Sequence, residues 1–235
     1  MEWRDEGVLL AIRPHGEGSA IAEVFTAGHG RHAGVIRGGA SRRMAPLLQP
    51  GAQLSVVWRA RLAEHIGAFA AEPLRSRAAV LEDAARLAAL ASVCALLHCA
   101  LPERAPHPDL WARTVAYLDG LATGTASAAD YLRWEVELLA AMGFGLDLSA
   151  CAVTGSRDGL DYVSPRTGRA VSRAGAGGWS DRLFPLPPVM LGRAAGPGEV
   201  AQGLAITGHF LARELAAADR PLPEARIRAV ARLAR

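Results

Sequence analysis

The chain has 235 residues, 51% of them hydrophobic and 21% charged. That is enough apolar matter for one large domain or two small ones, and it excludes disorder over the whole length, whose signature is low hydrophobicity. A membrane protein is excluded as well, because the most apolar stretch, residues 87–101, is shorter than the roughly 20 residues of a span and carries His98. The start, Met-Glu-Trp-Arg-Asp-Glu, is acidic where a secretory leader needs a basic region, and three cysteines make no disulfide framework. The expectation is a cytoplasmic, reduced protein. Net charge is +3 and the isoelectric point about 9.1. All 26 basic residues are arginine, a bias that GC-rich codon usage explains. Every cation is therefore a planar fork able to grip phosphate bidentately or stack on a base.

The first 75 residues read as strands. An apolar run at 8–12 ends at Pro14, and Gly16-Glu17-Gly18-Ser19 is a turn. Strands follow at 20–26, 31–37, 53–61 and 67–72, separated by Gly28-His29-Gly30, by Gly38-Gly39 and by Pro50-Gly51. Leu54, Val56 and Trp58 alternate, which points Trp58 inward rather than outward as a stacking platform. Five short strands with glycine turns predict a small closed barrel, with the OB-fold the leading candidate.

Composition shifts after Pro73. Residues 77–101 carry apolar side chains at helical spacing and predict one long buried helix, broken by Pro102, Pro106 and Pro108. Asp109 is the expected N-cap of a second helix reaching Leu121, and Ser127 that of a third over 128–142, with Gly143 beyond its end. Residues 150–180 are glycine-rich, with a hairpin signal at 160–163 and 170–172. Pro185, Pro187 and Pro188 form a stiff connector, and helices follow at 198–218 and 223–235. In the last, Ile227, Val230 and Ala234 mark an apolar stripe beside Arg228, Arg232 and Arg235. The fold class is thus α+β: a five-stranded OB-fold barrel over 1–73, then a mainly helical domain over 74–235 that includes the small hairpin segment 150–180.

Enzymatic motifs are missing from the sequence. A phosphate loop of the Walker type needs lysine; there is no His-Glu-x-x-His and no Gly-x-Ser-x-Gly, and Gly28-His29-Gly30 fails the dinucleotide spacing. Cys94 and His98, one helical turn apart, read as a buried thiol and a core histidine rather than a nucleophile and base. The basic stretch is more informative. No acidic residue lies between Glu23 and Glu64, an interval that holds Arg31, Arg37, Arg42, Arg43, Arg59 and Arg61. Six positive charges without a counter-charge attract a polyanion, and Arg37-Gly38-Gly39-Ala40-Ser41-Arg42-Arg43 reads as a flexible loop suited to a phosphate backbone. A barrel with a basic groove suits single-stranded nucleic acid. Cys151-Ala152-Val153-Thr154-Gly155, with glycines about twenty residues on, has the spacing of a pair of zinc knuckles stripped of most thiols.

Taken in order, several runs resemble the RecO family of bacterial recombination mediators. They are Trp3 to Leu9, Gly16-Glu17, Phe25-Thr26-x-x-x-Gly30-Arg31-x-x-Gly34, Arg37-Gly38-Gly39, Leu48-Gln49-Pro50-Gly51 and Trp58 to Leu62. Leu138-Leu139, Gly143-Phe144-Gly145-Leu146-Asp147-Leu148 and Cys151-x-x-Thr154-Gly155 continue the match. Thr154, Ser172 and Gly175 stand where the family's knuckle has cysteines, so the hairpin is a degenerate zinc knuckle and no metal or other cofactor is expected. The resemblance implies a non-enzymatic protein that binds single- and double-stranded DNA, anneals strands and, with RecR, helps RecA load onto DNA coated by single-stranded-DNA-binding protein. It further implies nucleoid association and contact with the acidic C-terminal tail of that binding protein. Arg113, Arg133 and Trp111 in the helical domain are the candidate contacts for such a tail. Two other classes fit the barrel: an RNA-binding OB-fold protein and a protein-only adaptor.

Overall fold

The structure is a computed structural model that describes residues 1–62 and 64–234. Five N-terminal strands precede a helical region, an α+β arrangement. β1 (Glu2–His15), β2 (Ser19–Thr26), β3 (Gly30–Ile36), β4 (Gln53–Arg59) and β5 (Ala68–Arg75) close into a barrel in the order β1-β2-β3-β5-β4. Neighbours are antiparallel except β3 and β5, which run parallel. β1 is longer than the apolar run alone suggests. Its acidic first half pairs with β4 and its second half with β2, and a register shift between Leu9 and Ala11 lets one strand serve both partners.

Leu9, Val24, Ile36, Leu54, Val56 and Phe69 fill the barrel, and Trp58 joins them at 2% exposure, inward as its alternation predicts. The Trp58 indole N–H donates to the Ile66 carbonyl at 3.0 Å. Towards Trp3 the core turns aromatic. Trp3 stacks on His29 at 4.0 Å and on Trp58 at 5.8 Å, and His32 meets Trp3 and Trp58 edge-on. His32 is 4% exposed, and neither of its ring nitrogens has a hydrogen-bond partner among the described residues. Burial, then the positive charges of Arg104 and His29, push its pKa down to about 4.

The predicted single helix over 77–101 is two pieces. A 3-10 turn at Ala78–Glu82 leads to α1 (Ala84–Ala100). Between them Asp83 is extended, and its carboxylate accepts from the amides of Ala85 and Arg86, which makes it an N-cap. α2 (Pro108–Thr123) starts with proline at its first position; Asp109 lies inside its first turn instead of capping it. α3 (Ala128–Ala141) has the expected cap, a reciprocal Ser127–Asp130 pair.

By packing, the chain forms two compact units: Met1–Thr125 with Pro223–Ala229, and Ala126–Leu222 with Val230–Arg235. In the first, α1 packs on β1 and α2 on both α1 and β2. Its hub is Arg77, 3% exposed. The guanidinium donates to the Gly51 carbonyl at 2.6 Å, to Gln53 Oε1 at 3.2 Å and to Asp119 Oδ1 at 2.9 Å, so it joins the turn before β4, β4 itself and α2. Arg75 pairs with the same Asp119.

In the second unit a three-stranded sheet, order β7-β6-β8, is built from β6 (Leu160–Val163), β7 (Ala170–Ser172) and β8 (Phe184–Pro185). A single turn, α4 (Arg173–Ala176), precedes α5 (Glu199–Ala217), which packs on α3. Gly203 permits that approach: a Cβ there would fall 2.4 Å from a Leu132 methyl. The Thr207 hydroxyl donates to the buried Glu135 carboxylate across the same contact. In α6 (Glu224–Leu233) the buried residues are Arg226 and Ala229, whereas Ile227 of the predicted stripe is 51% exposed; Arg235 lies outside the described residues.

Two outcomes follow for stability. Arg77→Met leaves the buried Gly51 carbonyl and Gln53 Oε1 without this donor and leaves Asp119 with Arg75 alone, and should lower the unfolding free energy by about 3 kcal/mol in denaturant titrations. His32 is neutral when folded and takes a proton more readily when unfolded. Its contribution is complete above pH 6.5 and is lost as pH falls from 6.5 towards about 4. The stability difference between the wild type and His32→Gln should therefore change with pH inside that window and be flat above it.

Candidate nucleic-acid interface

Counting acids along the chain overstates the unpaired charge, because counter-charges come from neighbouring strands. Glu23 faces Ala33 across the β2–β3 ladder, which places it diagonally from Arg31. Arg31 is buried; its guanidinium donates to Glu23 Oε2 at 2.6 Å and to the Leu101 carbonyl at 3.1 Å. Its hydrogen bonds are thus taken up inside the fold, unlike those of the exposed arginines in the same interval. Glu23 also meets His98 Nδ1 at 3.0 Å, and hydrogen bonding by His98 keeps the Glu23 carboxyl below its usual range despite burial. His98 is thus an exposed hydrogen-bond partner of Glu23, not the core histidine expected. Cys94 is buried and its thiol is pushed up to about 12, which suits packing and not nucleophilic attack. Arg59 is exposed but directly opposite Glu2, which it grips through two hydrogen bonds at 2.9 and 3.0 Å.

Arg37, Arg42 and Arg43 differ. All three are exposed on the β3–β4 connection, and none has an acidic partner among the described residues. The connection is folded into turns. Consecutive turns run from Ile36 to Leu48, Ser41 Oγ accepts from the Met44 amide, and Leu48 is buried in the barrel core. The Ala40 amide donates to the Gly18 carbonyl at 3.3 Å and ties the connection to the β1–β2 turn. Arg13, on the last residues of β1, consequently shares this end of the barrel. It lines a groove of about 250 Å³ with an apolar floor of Ile12, Ala20 and Leu48 and with Gly39, Ala40 and Gln49 at its sides. Arg13 was not among the sequence candidates; only the hairpin pairing that brings residue 13 opposite 21 reveals its place. Glu17, in the β1–β2 turn, is the acidic residue at this end. Arg61 is exposed on the β4–β5 connection, and Val35 of β3 donates to Gly67 of that connection.

The three helical candidates fall on two helices, α2 and α3, that belong to different compact units. Trp111 is half-buried and Arg113 exposed on α2, in the first unit. Arg133 is on α3, in the second, where it bonds Asp130 at 2.7 Å.

The residues at the degenerate knuckle do not fit a zinc ion. A structural site takes about four cysteine or histidine ligands. Cys151 offers one thiol, Thr154 and Ser172 offer hydroxyls, and Gly175 offers no side chain; among the described residues no three His, Cys, Asp or Glu gather in ligand geometry.

Comparison with known proteins covers nearly the whole chain. The family described as Recombination protein O N terminal matches residues 1–77, and Recombination protein O C terminal matches residues 81–222. A protein of Cereibacter sphaeroides named DNA repair protein RecO is 63% identical over 237 residues, which is 100% of this chain and 99% of that protein. Proteins of the same name from Jannaschia sp. and Ruegeria sp. are 59% and 57% identical, each over 100% of this chain and over 97% and 99% of their own lengths. No helix among the described residues is long and apolar enough to cross a membrane. The matched descriptions and the whole-length identity together make this chain a member of the RecO family of DNA repair proteins.

Proposed function

We propose that the chain is a DNA-binding recombination mediator whose barrel is an OB-fold and whose DNA face is the end of the barrel carrying Arg13, Arg37, Arg42 and Arg43. The strand order and the parallel closure of β3 on β5 support the OB-fold reading. The observation that carries the DNA face is three exposed arginines without acidic partners on one folded connection, held beside Arg13 by the Ala40–Gly18 hydrogen bond. Guanidinium forks on a rigid support bind successive phosphates with little loss of freedom on binding. Arg61 and Arg59 extend the face, with Arg59 exchanging Glu2 for phosphate. The chain works without catalysis: it holds strands for annealing and, with RecR, hands DNA coated by single-stranded-DNA-binding protein to RecA at the nucleoid. The domain boundary near residue 73 separates the DNA-binding chemistry from the partner-binding helical domain, and the two family matches, ending at 77 and starting at 81, agree with that division.

The acidic tail of the binding protein is proposed to dock on the helical domain, with Trp111 and Arg113 on α2 as first contacts and Arg133 on α3 as a separate one. An apolar anchor slows release and a cationic rim speeds encounter.

Arg37→Ala with Arg42→Ala and Arg43→Ala should flatten the slope of log K against log salt by about 2 on an unstructured DNA oligomer, roughly 0.7 for each lost phosphate contact. Unfolding should be unaltered. Unchanged affinity and slope would move the DNA face elsewhere. Competition between DNA and RNA oligomers of one sequence tests the RNA-binding alternative, which requires recognition of the 2′-hydroxyl. For the tail, Arg113→Glu and Arg133→Glu, made singly, should each weaken peptide binding in fluorescence anisotropy, and equal binding removes that residue from the site.

A further inference from the structure

Cys151 begins a tight turn in the second unit. Its amide donates to the Ser156 carbonyl at 2.7 Å, and its carbonyl accepts from Gly155 at 2.9 Å. The residue is 2% exposed, so its sulfur faces inward. Four hydrogen bonds end on that Sγ. They come from the amides of Val153 at 3.4 Å, Thr154 at 3.4 Å and Ser172 at 3.2 Å, and from the Ser172 hydroxyl at 3.3 Å. Thr154 Oγ1 is 3.4 Å from Ser172 Oγ, which also accepts from the Gly175 amide at 3.1 Å. Gly175 closes the ring. A Cβ at that position would lie 2.8 Å from Cys151 Sγ, 3.2 Å from Ser172 Oγ and 3.2 Å from Val153 Cβ. Positions 151, 154, 172 and 175, from two separate turns, thus converge on one point, and the Cys151 sulfur occupies it.

We infer that this is a four-position ligand cradle closed around its one remaining sulfur, in which hydrogen bonds join the two turns where a metal ion would otherwise join them. The donor set fails as a metal site, yet four positions from two turns converge on one point. Backbone N–H groups aimed at a sulfur are the support that metal-bound thiolates use. Closure depends on position 175 lacking a side chain. The φ of Gly175 is not in the left-handed region, so the constraint there is steric and does not concern backbone freedom.

Two consequences separate this reading from a chance polar cluster. The smallest side chain at 175 must push the two turns apart and break bonds to the sulfur. Conversely, thiols restored at 154, 172 and 175 place four sulfurs around one point, which opens to admit a tetrahedral divalent ion with release of the thiol protons.

The experiment uses the full-length chain as wild type, as Gly175→Ala and as Thr154→Cys with Ser172→Cys and Gly175→Cys. Each is expressed with added zinc, desalted and analysed for metal; each is also titrated with cobalt(II), whose absorption reports tetrahedral thiolate ligation, and melted with and without chelator. The wild type should hold no stoichiometric zinc and melt alike with chelator. Gly175→Ala should melt several degrees lower. The triple variant should hold about one zinc per chain, show the thiolate–cobalt spectrum and lose melting temperature in chelator. The double variant Thr154→Cys with Ser172→Cys keeps Gly175 and should bind cobalt through three thiolates if the triple fails to fold. The inference is overturned by stoichiometric zinc in the wild type, by Gly175→Ala melting with the wild type, or by a folded cysteine variant that binds neither metal.

Discussion

A guanidinium keeps its proton even inside a protein, so a buried arginine must be met by acceptors on every side. In the first unit two arginines are in that position. Arg77 takes its acceptors from the turn before β4, from β4 and from α2; Arg31, on β3, takes Glu23 from β2 and the carbonyl of Leu101 at the end of α1. Apolar packing holds α1 and α2 against the barrel without fixing direction, because the hydrophobic effect is non-directional. The two buried forks supply the direction, since their hydrogen bonds are directional and reach acceptors on both strand and helix. Burial works against the charge of Arg77, and Asp119 offsets it.

The same need for acceptors sorts the remaining cations. Arg59 is held by Glu2 and Arg31 by Glu23, so two of the six charges that look unopposed along the chain are opposed across it. Of the four others, Arg37, Arg42 and Arg43 sit on a connection that is itself folded into turns and pinned by Leu48, and Arg61 lies on the β4–β5 connection. With a net charge of only +3, the field that matters for a polyanion is this local one. The turn hydrogen bonds add to it, because cations on a folded connection need less ordering on contact than cations on a loose loop. The groove between Arg13 and Leu48 gives the same end of the barrel an apolar floor that a phosphate does not use but a sugar or base face can.

Much of this was legible in the residues. Period-2 alternation around Trp58, glycine turns and the Ser127 cap are local signals, and each corresponds to an element that forms. The misreadings share a cause: they needed pairing across strands. Arg31 looked available because Glu23 lies eight residues back, yet the β2–β3 hairpin folds it alongside. Arg13 went unnoticed because its neighbours on the surface come from a connection more than twenty residues on. Asp83 and Asp109 show a subtler limit. Both are acids near a helix start, and only the backbone at the residue itself, extended at Asp83 and helical at Asp109, decides which accepts from the free amides and which merely complements the dipole. The Ser172–Cys151 bonds were legible as positions but not as chemistry, since a serine in place of a cysteine predicts a lost ligand and not a replacement contact.

The central claim is that arginines in this barrel divide into those that hold the fold and those that meet the phosphate backbone. The most direct test is the salt dependence of DNA binding by Arg31→Met, measured beside its unfolding free energy under conditions where the variant is folded. The division predicts a wild-type slope of log K against log salt together with a loss of about 3 kcal/mol in stability. A slope flattened by about 0.7 with unchanged stability would place Arg31 on the phosphate backbone and contradict it.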